Sequence, residues 1–167
     1  NVGLVGSEMC IRDRYNILLS LSRNIFFYKK IQLPDTFETR IYLMFIHFSI
    51  LMIITKKKNL KFNQKIYDQL FHNIENNLRE LGFGDVSVNK KMKELNKILY
   101  DILLKLNLNN NDQFEINLDL LRKYFTSINS VESKKLAEFA GYFSNFFNFC
   151  FELPIDSMLE DAIKFKY

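Results

Sequence analysis

Fourteen consecutive residues, Ile41 to Ile54 (IYLMFIHFSILMII), contain no Asp, Glu, Lys or Arg. Such a run leaves water for a bilayer or a protein core. A helix needs about 20 apolar residues to span a bilayer; this run is shorter and carries His47 at its middle. The sequence therefore predicts a buried core helix rather than an interfacial or membrane segment. Arg40 precedes it and Lys56, Lys57 and Lys58 follow, at the end where the helix dipole favours cations. The chain around it has 48% hydrophobic and 25% charged residues, which excludes disorder of the whole. Its 5 Gly and 2 Pro are too few for the turns of a sandwich or barrel of many short strands. At 167 residues the expectation is all-α, a single compact multi-helix domain of about six to seven helices.

Residues 1–14 read as foreign to that domain. Leu4 to Arg14, LVGSEMCIRDR, can be encoded by CTC GTG GGC TCG GAG ATG TGT ATA AGA GAC AGR, which resembles a transposon adapter used in making sequencing libraries. The native helical domain is then expected over residues 15–167, in a body rich in Asn, Lys, Ile and Phe. Setting Cys10 aside leaves Cys150, which excludes an intramolecular disulfide and a four-cysteine zinc site. A reducing compartment fits best.

Apolar spacing divides the rest. Ile17, Leu18, Leu21, Ile25 and Phe26 predict a helix from Tyr15 to Lys30, interrupted at Leu33-Pro34. Asp35 with Glu38 reads as a capping box opening the next helix. Ile66, Leu70, Ile74, Leu78 and Leu81 form the stripe of a helix over Phe62 to Leu81 that stops at Gly82. Met92, Leu95, Leu99, Ile102 and Leu106 face inward from a helix over about Lys90 to Leu106. Leu108 to Gln113 is a polar loop. Further helices are expected over Ile116 to Ile128, Val131 to Phe151, and Asp156 to Lys166.

Chemical motifs are scarce. There is no phosphate loop, dinucleotide fingerprint, G-x-S-x-G elbow or H-E-x-x-H, so no catalytic residue, metal ligand or cofactor is assigned and no enzymatic activity is expected. His47 and His72 lie on different helices with no paired carboxylate or cysteine at ligand spacing, which makes haem ligation the weaker alternative. The net charge of +4 is mild, and specific DNA binding is not expected. Lys56, Lys57, Lys58 and Lys61, with Lys90, Lys91, Lys93 and Lys97, suggest one basic face. Phe143, Phe146, Phe147, Phe149 and Phe151 nearly circle their helix, and Phe146 and Phe149 are candidates for an exposed partner-binding patch.

Two segments carry a resemblance. Phe27 to Met52 (FYKKIQLPDTFETRIYLMFIHFSILM) holds Tyr28 ahead of an L-P-D-T start with Leu33, Asp35 and Thr36, and an R-x6-H pair, Arg40 and His47. Asp68 to Leu95 holds an LRE-x-G-x-GD-x-SV signature in Leu78, Arg79, Glu80, Gly82, Gly84, Asp85, Ser87 and Val88. Together these resemble the ubiquinol-cytochrome c chaperone family, over Phe27 to about Leu104. Where family members carry an aromatic-Gly-Arg and then Ala-Tyr, this chain reads LYDILLKL.

The resemblance implies an all-helical, non-enzymatic assembly factor of the cytochrome bc complex that binds newly made cytochrome b. It implies the ribosome, the inner-membrane surface and a small co-chaperone as further contacts. A cytoplasmic place peripheral to the inner membrane follows, on the matrix side in a eukaryote. A helical ribosome or membrane adaptor with another client is the alternative. Lys56 to Lys58, Lys90, Lys91, Phe146 and Phe149 are the expected partner contacts, while Asp35, Arg40, His47, Arg79 and Asp85 are expected to form a polar network around the turn at Gly82 to Val88.

Overall fold

In the computed structural model, which describes residues 13–106, 113–130 and 132–167, the apolar run lies inside a longer helix. That helix, α2, spans Phe37–Lys57. Leu43 to Leu51 are buried without interruption, so about two and a half turns are covered on every side. At 21 residues α2 is long and apolar enough to cross a membrane, which the fourteen-residue run alone did not suggest, yet 72% of its most apolar stretch is buried among the other helices. Its apolarity is that of a core helix.

The cover comes from both flanks of the sequence. Helix α1 occupies residues 13–22 and a π-helical turn follows at Phe26–Lys30. After α2 come α3 (Gln64–Glu80) and α4 (Asp85–Leu106). The rear part holds α5 (Leu118–Tyr124), a 3-10 turn (Thr126–Ser130), α6 (Ser133–Phe151), and α7 (Met158–Asp161), which runs into a second 3-10 turn at Ala162–Lys164. No strand occurs among the described residues.

Helix α2 packs against α4 and α6; α3 packs on α4 and stacks Phe71 on Phe45 of α2 at 5.8 Å, and α5 packs on α6 and brings Tyr124 to Tyr42 of α2 at 5.4 Å. Lys91 reaches Glu38 at 3.7 Å, while Met52 and Ile53 share a cavity wall with Leu103. Helices α2 and α4 therefore run in the same sense, start beside start. Helix α6 follows them too, since Tyr142 meets His47 and the ammonium of Lys57 lies 5.5 Å over the Phe147 ring.

Several boundaries differ from the sequence expectation for local reasons. The helix predicted over Tyr15 to Lys30 breaks at Asn24, whose side-chain oxygen accepts from the Phe26 amide at 3.0 Å and starts a new turn. The cap of α2 is Thr36 rather than Asp35: its hydroxyl accepts from the Thr39 amide at 3.2 Å. Asp35 pairs instead with Arg40, and Glu38 with Lys91. Helix α4 starts at Asp85 rather than near Lys90, because the Gly84 carbonyl already accepts from the Val88 amide at 2.9 Å. Leu108 to Asp112 of the predicted loop, Cys10, and all but Asp13 and Arg14 of residues 1–14 lie outside the described residues.

Candidate functional site

The LRE-x-G-x-GD-x-SV signature builds the turn between α3 and α4. Its ends are structural: Leu78 and Val88 are fully buried. Gly82 has φ +93°, a conformation that glycine adopts without penalty. It lets the Gly82 amide donate to the Arg79 carbonyl at 3.0 Å and the Phe83 amide to the Leu78 carbonyl at 3.2 Å, the paired bonds that close a helix C-terminus. Arg79 then ties the two helices together, donating to Asp85 across the turn and to Glu75 at 3.0 Å. Both carboxylates hold its guanidinium pKa above the usual value.

Everything else in the turn faces water. Leu81 is 60% exposed, Phe83 38% and Val86 84%, and Glu80, Gly84, Asp85 and Ser87 are exposed beside them. Three apolar side chains held outward by a fixed turn form a contact surface, since covering them releases water from apolar area. Sequence reasoning put Leu81 in the buried stripe of α3, whereas the helix ends at Glu80 and the turn leaves Leu81 outside, and it gave Phe83 and Val86 no role. In the structure α3 closes its buried stripe at Leu78 and α4 opens its own at Val88, which leaves no inside position for the three.

Leu81 also lines a cleft of about 460 Å³ between α1, the start of α2 and the end of α3. Its floor is apolar, with Leu19, Phe37, Ile41 and Met44, and Arg23, Arg40 and Glu80 stand around it. Arg40 is oriented by its 3.0 Å pair with Asp35. The Asn77 amide donates to the Tyr15 hydroxyl at 2.5 Å on the same wall, and burial raises the pKa of that phenol. The arrangement suits an apolar peptide segment with polar groups at its edge, and it offers no nucleophile–base pair.

The remaining predicted residues fall elsewhere. The Tyr28 hydroxyl donates to the Ser22 carbonyl at 2.7 Å, tying the π-helical turn to α1. His47 is fully buried. Its Nδ1 lies 2.7 Å from the Leu43 carbonyl, so that nitrogen carries the proton, and Nε2 accepts from the Tyr142 hydroxyl at 3.0 Å. Burial pushes its pKa down to about 4. With both nitrogens engaged, and with rings of Phe27, Tyr142, Phe143 and Phe146 around it, His47 does not fit a haem ligand. His72 is exposed on α3 beside Asn76. Among the described residues no group of three metal-ligating side chains occurs.

Three expectations need correction. Asp35 with Arg40, Arg79 with Asp85, and His47 form three separate sets of bonds rather than one network. The lysines do not share a face: Lys90 and Lys91 stand at the start of α2, while Lys56, Lys57 and Lys58 end it, about 30 Å away along the helix. Lys58 is moreover engaged with the Leu153 carbonyl at 3.0 Å. Phe146 is fully buried, and Phe149 is half-buried against Phe165 at 5.5 Å. The segment after Pro154 folds back over α6 and covers the patch that Phe146 and Phe149 were expected to expose.

A family model described as ubiquinol-cytochrome C chaperone matches residues 29–165. The match continues through α5, α6 and α7, beyond Leu104, where the sequence resemblance stopped. No curated protein and no solved structure matches the chain.

Proposed function

Because this chain belongs to the ubiquinol-cytochrome c chaperone family, and so acts as a chaperone for the cytochrome bc complex, we propose that its client is newly made cytochrome b, held at the α3–α4 turn and the cleft beside it. Cytochrome b has long apolar helices, and an apolar segment without its partners aggregates. Leu81, Phe83 and Val86 offer that segment an apolar contact. Arg23, Arg40 and Glu80 take its polar ends. No bond is made or broken in this account, so the protein acts as a binding protein. Release follows by mass action when other subunits cover the same client surface.

The exposure of three apolar side chains on a turn fixed by Gly82 and Arg79 carries the reading. A client inserted in a membrane favours a place on the cytoplasmic side of the inner membrane, matrix-side in a eukaryote. Lys56, Lys57 and Lys61 around the 46% exposed Leu60 suit its anionic headgroups. The ribosome and a small co-chaperone remain part of the proposal as partners of the nascent client. Cells whose only copy carries Phe83→Asp with Val86→Asp test it. Cytochrome b should fall while the variant accumulates with an unchanged melting temperature. Normal cytochrome b in those cells would overturn the assignment of the turn.

A further inference from the structure

The outer face of α4 carries a second surface, which shares only Val86 with the client site. Val86, Lys90, Lys93, Lys97, Tyr100 and Leu104 follow one another at alternating four- and three-residue steps, and all six are exposed. Such steps average about 3.5 residues and keep the six in one straight line, about 27 Å long. The line lies opposite the buried stripe of Val88, Leu95, Leu99 and Ile102.

Two features set it apart from an ordinary solvated face. The first is unpaired charge. Lys91 and Lys105, just off the line, have carboxylate partners in Glu38 at 3.7 Å and Asp101 at 3.1 Å. Lys90, Lys93 and Lys97 have none among the described residues. Glu94, the exposed acid between them, is one turn from Lys90 and Lys97 and forms no ion pair with any of the three. The second is apolar exposure confined to the two ends: Val86 at 84%, and Tyr100 at 57% with Leu104 at 64%.

We propose that this line binds an acidic helix of a partner protein, with carboxylates opposite Lys90, Lys93 and Lys97 and apolar side chains opposite Val86 and the Tyr100–Leu104 end. Charge complementarity fixes the middle of the partner and apolar burial fixes its ends. A strand of RNA matches the lysines and leaves Val86 and Leu104 uncovered. A bilayer prefers the reverse order, an apolar centre with lysines at its borders. A helix matches both parts, because its side chains repeat at the same steps.

The test uses the full chain and a synthetic helical peptide of about 20 residues, with glutamates at alternating four- and three-residue steps over its centre and leucines at both ends. Binding is measured by fluorescence anisotropy. The glutamate peptide should bind, weaken as salt rises from about 50 to about 300 mM, and lose about tenfold in affinity to the Lys93→Glu, Lys97→Glu variant. A Phe83→Asp variant should bind it unchanged, which separates this surface from the client site. Equal binding of a glutamine version, or an unaffected lysine variant, would overturn the proposal. So would lysine-dependent binding of oligouridine or phosphatidylglycerol vesicles without binding of the glutamate peptide.

Discussion

The Nε2 of His47 on α2 accepts a 3.0 Å hydrogen bond from the hydroxyl of Tyr142 on α6, ninety-five residues later in the chain. Both side chains are fully buried, so the bond joins the two central helices where no water can replace it. Burial raises the Tyr142 pKa, and the nearby Asn24 side chain opposes the shift; the phenol stays protonated and remains the donor. Tyr142→Phe leaves the imidazole nitrogen buried without a partner, a loss of about 1–3 kcal/mol. Urea unfolding should show that loss as a lower midpoint with an unchanged slope.

The same histidine gives the protein an acid-sensitive window. Its pKa is lowered from 6.5 to about 4 in the folded state, so below pH 6.5 the unfolded chain takes up a proton that the folded chain refuses. The stabilisation is complete above pH 6.5 and is lost as pH falls toward 4, by roughly 3 kcal/mol. Stability measured against pH should decline across that window, and His47→Gln should flatten it.

A second, lower window belongs to Asp101. Burial works against its charge, but hydrogen bonds from Lys123, Tyr124 and Lys105 hold its pKa down to about 2. That cluster fastens α4 to α5, with Lys123 at 2.7 Å. The contribution is lost as pH falls from the ordinary carboxylate range toward 2. Since Lys123 is half exposed, water screens the pair, and Asp101→Asn should cost about 1 kcal/mol. Thermal melts of variant and parent should differ at neutral pH and converge at the acid end of the range.

The two glycines of the signature should behave differently. Gly82 has φ +93°, so Gly82→Ala should cost about 1–2 kcal/mol. Nothing lies within 4 Å of a side chain placed on Gly84, the residue before α4. Gly84→Ser should be neutral or slightly stabilising there, because serine caps helices well. If it nonetheless lowers cytochrome b capture, the glycine serves the close approach of the client.

Phe146 separates fold from function. It is fully buried between His47 and Phe165, with ring centres at 4.8 and 5.5 Å. Phe146→Ala should therefore destabilise by about 3–5 kcal/mol, visible in unfolding. Phe83→Asp on the exposed turn should leave the unfolding curve in place.

The helices were legible because their stripes are written locally. Ile66, Leu70, Ile74 and Leu78 repeat at helical steps, and Gly82 marks where they stop. Leu43 to Leu51 announced a core helix by lacking any polar face. What stayed hidden depends on chain segments far apart. Phe146 and Phe149 looked exposable until Phe165 was seen to fold over them. Lys56 to Lys58 and Lys90 to Lys97 seemed one patch until α2 and α4 proved to run in the same sense, which puts the groups at opposite ends. Likewise, Leu81, Phe83 and Val86 became a surface only when their helices' buried faces were known to be filled.

The most direct test of the client site is photo-crosslinking in respiring cells from a benzoylphenylalanine placed at Phe83, with Lys164 on the far 3-10 turn as the control position. The account predicts a cytochrome b adduct from position 83 that disappears when cytochrome b synthesis is blocked and is absent from position 164. A folded protein that yields no cytochrome b adduct from position 83, or yields it equally from both positions, would contradict it.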